Sequence, residues 1–161
     1  MQTLANLLSP QRIVLDLEAS SKKRLFEQAG LLFENTHDLP RVRVYDSLFA
    51  RERLGSTGLG QGVAIPHGRI KGLRGTAGAL LRLRTPIPFE APDGAPVGLA
   101  FVLMVPERAS SRHLAILSQL AELLSDRPLR EQLQSAPDTA TIHQILSTWQ
   151  PHVTDQRSAT R

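Results

Sequence analysis

The chain has 161 residues, 41% of them apolar, enough for one domain with a core that needs no covalent staples. It holds no cysteine, which excludes disulfides and thiolate metal sites. A formal charge of +4 raises nucleic acid as a partner, but aromatics at 4% are too few for a base-stacking platform and the basic residues are scattered.

"MQTLANLLSPQRIVLD" at the N-terminus has neither the basic flank nor the long apolar run of a signal peptide. Within it, "RIVLDL" (Arg12–Leu17) reads as a short strand. Ser20 or Ser21 caps a helix whose Leu25, Ala29, Leu32 and Phe33 share one face, and "ENTHDLP" breaks it. A second helix runs from about Val42 to Leu54 and stops at Gly55. "VAIP" (Val63–Pro66) is a short apolar strand, and "TAGALLRLR" (Thr76–Arg84) alternates toward its end. After an Asp93-Gly94 turn, "VGLAFVLMV" (Val97–Val105) is apolar at every position but Gly98, as in a central strand covered on both sides, and too short to cross a bilayer.

The last third is helical. A serine cap opens "SSRHLAILSQLAELLSD", with Leu117, Leu120, Ala121 and Leu124 on one face. "RPLREQLQ" places proline in its first turn. "DTATIHQILSTW" spaces Ile142, Ile145, Leu146 and Trp149 helically before Pro151. This order predicts an α/β fold: a mixed β-sheet flanked by helices on both faces, with a helical C-terminal third. Residues 1–150 form the domain, and 151–161, without apolar pattern, form a disordered tail. The protein is expected to be soluble and cytoplasmic.

Three polar side chains stand where the pattern calls for something else. His67 is set between Pro66 and Gly68, which fix the backbone before it and allow a sharp turn after it. Arg51 follows Val44 and Leu48 on the stripe that continues to Leu54. His113 lies in the first turn of its helix, on the stripe of Leu117 and Leu120, where free N–H groups favour an anion. Each also has a plain reading: a structural histidine at a strand end, an arginine reaching along its helix to water, a capping histidine. Between Glu52 and Glu90 no acidic residue occurs, while Arg53, Arg69, Lys71, Arg74, Arg82 and Arg84 do, which suits a phosphate or an acidic surface.

The glycines before His67 fit neither known phosphate loop. A Walker loop ends in Gly-Lys-Ser/Thr, and a dinucleotide fingerprint runs from strand to helix; here a helix precedes and a strand follows. No carboxylate stands at motif spacing with His67 and His113, so no metal or cofactor is expected. A phosphoryl-acceptor site is consistent with all three residues. A neutral imidazole attacks phosphorus, an arginine neutralises the equatorial oxygens, and backbone N–H groups around Gly55, Ser56, Thr57, Gly58, Gly60, Gly62 and Gly68 hold the phosphate.

"LGSTGLGQGVAIPHG" (Leu54–Gly68) resembles the phosphohistidine signature of the IIA proteins of the bacterial phosphotransferase system, the fructose/mannitol type, nitrogen-regulatory branch. "FEAPDGAPVGLAFVLMVP" and "HLAILSQLAELL" match in order and spacing, so the resemblance covers roughly Leu4 to Trp149. It implies that His67 is phosphorylated through Nε2, with Arg51 and His113 as supporting residues, in a phosphotransferase component without independent turnover. The implied donor is a small histidine phosphocarrier protein, charged from phosphoenolpyruvate by an enzyme I. A stand-alone chain, with no IIB or membrane IIC domain attached, is the expectation, and it favours a regulatory role read by partners such as a sensor kinase or potassium transport proteins. The alternatives are a free-standing sugar-specific IIA that passes phosphate to a IIB protein, and a non-covalent phosphate-sensing or protein-docking module.

Overall fold

The computed structural model describes residues 4–108 and 111–149. The expected tail, 151–161, and a cap at Ser110 lie outside these residues.

Two 3-10 turns, Leu4–Leu7 and Pro10–Arg12, lead into β1 (Ile13–Leu17). Two helices follow, α1 (Lys22–His37) and α2 (Arg41–Glu52), then β2 (Gly58–Gly60), β3 (Val63–Ala64), β4 (His67–Ile70), β5 (Ala77–Ile87) and β6 (Val97–Pro106). Helices α3 (Ser111–Ser125), α4 (Arg127–Ser135) and α5 (Thr139–Thr148) close the described chain. Short polar side chains set the starts of three helices. Ser21 Oγ accepts from Arg24 N at 3.2 Å, Asp126 from Leu129 N at 3.3 Å, and Asp138 from Thr141 N at 2.9 Å.

The sheet runs β1-β5-β6-β3-β2, with β4 also on β6. It is mixed, as expected. β1 lies parallel to β5, β3 and β4 parallel to β6, while β5–β6 and β2–β3 are antiparallel. β6 is its axis. Leu99, Phe101 and Leu103 point into one core with Leu120, Leu123, Leu124, Leu133, Ile142 and Leu146 of the C-terminal helices. Ala100, Val102 and Met104 point into the other, with Leu25, Phe26, Phe33, Val44 and Leu48 of α1 and α2. Helices therefore cover both faces, and the unbroken apolar run of β6 follows from that double burial. Each large side chain so buried contributes roughly 1.5–3 kcal/mol.

Some boundaries move. α1 continues through "ENTH" to His37, with Thr36 Oγ1 donating to Leu32 O at 2.7 Å, and ends where Asp38 turns left-handed at φ 61°. β5 extends to Ile87, and its register with β6 shifts between Arg82 and Ile87, where Pro86 withholds a ladder N–H. β3 is only Val63–Ala64, and β2 and β4 are strands where loop was expected.

Candidate active site

His67 does not stand on a turn. Val63, Ala64 and His67 pair with Leu99, Ala100 and Leu103 of β6 in one unchanged register, and Leu103 N donates to Pro66 O at 2.9 Å. β3 and β4 are thus collinear pieces of one line of strand beside β6, interrupted at Ile65-Pro66; β2 covers the outer side of β3 and leaves β4 as the edge. Sheet pairing, more than the proline, holds the imidazole's backbone.

Alternation along β4 then sorts its side chains. Gly68 and Ile70 are buried, with Ile70 in the core under α1 and α2; His67 is half-buried and Arg69 exposed. Gly68 has no positive φ, so the sharp turn expected after His67 is absent. Its missing side chain serves packing: a Cβ there would run into the Ser47 side chain and lie 2.9 Å from the Ser47 carbonyl oxygen. Only glycine lets α2 press directly on β4. Ser47 Oγ also donates to Arg69 O at 2.9 Å, fastening helix to strand.

This contact opens a cleft of about 430 Å³ at the β4 edge, between the end of α2 and the start of α3. Arg51, Leu54, His67, Arg69, His113, Leu114 and Leu117 line it. The three residues singled out by sequence are brought together, Arg51 from another position than expected. The α2 stripe continues from Leu48 to buried Glu52, while Leu54 is 84% exposed, so Arg51 occupies the rim and not a core-facing position. Its Nη1 donates to Gly55 O at 2.7 Å. The buried stripe of α3 is Ile116, Leu120, Leu123 and Leu124, and His113, three residues before Ile116 and seven before Leu120, is half-buried on that face in the first turn, where the sequence places it. A wider depression of about 560 Å³ beside Ser20 and Pro86 offers no comparable chemistry: its Arg84 is ion-paired with Glu18 and its Arg24 with Glu27.

The imidazole of His67 is oriented by one bond. Nδ1 lies 2.8 Å from the Ile65 carbonyl oxygen. A carbonyl only accepts, so Nδ1 carries the hydrogen and Nε2 keeps the lone pair. Burial holds the His67 pKa below the ordinary histidine value, opposed by the Ile65 carbonyl and helped by the charge of Arg51. Glu52 pulls the other way and Arg69 adds a smaller push down. The net effect favours neutral, nucleophilic imidazole.

The glycine stretch does not form the expected phosphate cradle. Of Gly55, Ser56, Thr57, Gly58, Gly60, Gly62 and Gly68, only Gly68 lines the cleft. Four of the loop's N–H groups are already engaged. Gly55 N donates to Glu52 O at 3.1 Å, Thr57 N to Glu52 Oε2 at 3.1 Å, Gly58 N to Ser56 Oγ at 3.0 Å, and Gln61 N to Asp93 Oδ2 at 2.9 Å. Gly60 (φ 86°), Gln61 (φ 60°) and Gly62 (φ 81°) form the left-handed turn of the β2–β3 hairpin. The sequence reading missed Glu52; the signal was available in its place four residues after Leu48.

Residues 6–149 match the family model described as "Phosphoenolpyruvate-dependent sugar phosphotransferase system, EIIA 2". The chain belongs to this phosphotransferase-system IIA family. Within it, similarity runs to the nitrogen-regulatory branch. A nitrogen regulatory protein of Pseudomonas aeruginosa is 42% identical over 147 residues, covering 91% of this chain and 96% of that protein. One from Bradyrhizobium diazoefficiens is 39% identical, covering 89% and 94%. The crystal structure of nitrogen regulatory protein IIA-Ntr from Neisseria meningitidis superimposes with a TM-score of 0.85 at 51% identity, over 89% of this chain and 98% of that one. Among the described residues, no helix is long and apolar enough to cross a membrane.

Proposed function

We propose that the protein accepts a phosphoryl group on His67 Nε2 from a histidine phosphocarrier protein and signals by its phosphorylation state, in regulation of the nitrogen and potassium type. The observation that carries this reading is the Nδ1–Ile65 bond at 2.8 Å, made in a cleft shared with Arg51 and His113. In the transfer, the Nε2 lone pair forms the new N–P bond, and the donor's own P–N bond breaks with its electron pair returning to the donor's ring. No proton needs to leave His67. Its ring gains positive charge, and the Ile65 carbonyl already accepting from Nδ1–H stabilises that charge. Arg51 neutralises the phosphoryl oxygens with a planar fork, and His113 contributes a further donor.

Family membership and the relatives' names support a phosphocarrier used for regulation. The family description, with its word sugar, supports a second reading in which phosphate passes on to a IIB protein. Incubation with enzyme I, the phosphocarrier and phosphoenolpyruvate decides whether transfer occurs: the expected product gains one acid-labile phosphate, with phosphorus coupled to the His67 ring by NMR. An unchanged mass overturns the proposal, and coupling to the His113 ring exchanges acceptor and helper. Rapid loss of the label to an added IIB protein would favour the sugar-type reading.

A further inference from the structure

Three polar or charged residues are buried among the described ones: Arg12, Glu52 and Thr57. Arg12 is a structural clamp, its Nε donating to Gly78 O at 2.9 Å and its Nη2 to Leu7 O at 3.2 Å. Glu52 and Thr57 belong together, and neither touches a reacting atom in the transfer chemistry above, where Glu52 enters only through its charge on the His67 ring. The Glu52 carboxylate is met by three donors: Lys22 Nζ at 2.9 Å, Thr57 N at 3.1 Å and Thr57 Oγ1 at 2.6 Å. Lys22 in turn sits 4.5 Å from the centre of the Phe89 ring, which confines its ammonium on the apolar side. A buried carboxylate so fully satisfied is a rigid anchor, because releasing any one partner leaves a charge without solvent.

What this anchor holds is the segment that carries the Arg51 partner. Residues 53–57 leave α2 and return to Glu52 through Thr57, closing a five-residue loop around the carboxylate. Leu54 N donates to Arg51 O at 3.1 Å and Gly55 N to Glu52 O at 3.1 Å, so the loop is tied at both ends. Gly55 O is the atom that receives the Arg51 guanidinium, at 2.7 Å. The geometry points to Glu52 as a positioning residue for phosphoryl transfer: through Thr57 it fixes the 53–57 loop, and through the Gly55 carbonyl the loop aims Arg51 at the His67 cleft. This rests on the reading of His67 as acceptor given above. It makes Glu52 a residue that touches neither donor nor phosphate and yet governs the rate, since displacement of a charged group by about 1 Å can cost on the order of a hundredfold.

Glu52→Gln keeps size and one acceptor oxygen but presents an amide to Lys22 and Thr57. Phosphorylation of His67 by the phosphocarrier should slow on the order of tenfold or more. Thr57→Val, which removes one donor and keeps the shape, should slow it less and in the same direction, and serves if Glu52→Gln fails to fold. The decisive measurement is coupling. If Glu52 acts through Arg51, Glu52→Gln in an Arg51→Ala background slows transfer no further than Arg51→Ala alone; a merely structural role predicts that the two defects multiply. Wild-type rates in both single variants, or multiplying defects, overturn the inference. The unphosphorylated protein gives an independent readout: the Arg51 side-chain N–H signals should be distinct and slowly exchanging in wild type and collapse in Glu52→Gln. Should the wild type accept no phosphate, the reading of His67 falls, and these signals still decide whether Glu52 positions Arg51; unchanged signals reject it.

Discussion

The stretch from Gly58 to Gly68 contains two regions of similar composition with opposite uses. At Gly60 and Gly62 glycine is present for its backbone: φ of 86° and 81° builds a hairpin turn that Asp93 ties down from across the sheet. At Gly68 it is present for its missing side chain, which lets the α2 backbone approach β4 beside His67. The first region builds a turn away from the cleft, with its Gln61 N–H given to Asp93; the second clears the floor of the cleft. Density of glycine therefore does not locate a phosphate site. On the proposed reading the site lies instead where an edge strand, a helix end pressed onto it and a ring nitrogen of His67 meet.

Substitutions in the second region should break function, beginning with the largest effect. His67→Ala should abolish phosphate gain by mass spectrometry while the protein stays folded, since the imidazole is half-buried and its ring hydrogen bond goes to the Ile65 carbonyl, a loss of about 1 kcal/mol. Any phosphate gain in this variant removes His67 as acceptor. Gly68→Ala should cost about 1–3 kcal/mol by overpacking against Ser47 and should also impair transfer, because the relief available is to push α2, and Arg51 with it, off the strand. Denaturant melts with normal transfer would show that α2 can retreat without moving Arg51.

Arg51→Lys keeps the charge and loses the planar fork, so transfer should slow by an amount equivalent to about 1.5–3 kcal/mol with little change in melting temperature. Equal rates would reduce Arg51 to a helix residue reaching water. His113→Gln keeps a donor of similar reach, and a smaller effect is expected: phosphorylation still at His67, slowed by about 1.5 kcal/mol or less in single-turnover kinetics. A complete loss would give His113 a larger part than helper.

These expectations show how far sequence carries. The mixed sheet, both helical layers and the central place of β6 were legible because long apolar periodicities are set by burial on one face or two. His67, Arg51 and His113 were singled out as polar interruptions, and the fold brings them to one cleft, although Arg51 reaches it from the rim of α2 and not from the apolar stripe. Their surroundings were not legible. "HGRI" has no alternation to betray a strand, and its pairing with Leu103–Pro106 is a contact far along the chain. Leu54 extends the helical stripe in sequence, but α2 stops at Glu52 and the side chain swings to 84% exposure. Glu52 carries one local signal, its place four residues after Leu48, but its partners Lys22, thirty residues earlier, and Thr57 appear only in the fold. Local pattern reports which face is apolar; it does not report which carboxylate the fold will enclose.

The first region supplies the last prediction and the control for the others. Asp93 accepts from Gln61 N at 2.9 Å and Ala95 N at 3.0 Å, and these bonds hold its carboxyl below the usual aspartate range. A depressed carboxyl pKa adds stability above the unfolded value of about 3.9 and loses it as pH falls through the folded value. Asp93→Asn should therefore be less stable than wild type at neutral pH, with the deficit shrinking in acid, as thermal melts between neutral and acid pH would show. Phosphoryl transfer at neutral pH should be unchanged, because neither Asp93 nor the glycines it restrains line the His67 cleft. A slowed transfer in Asp93→Asn would mean that the hairpin reaches the site after all, and the division of the glycine stretch into a structural and a functional part would have to be given up.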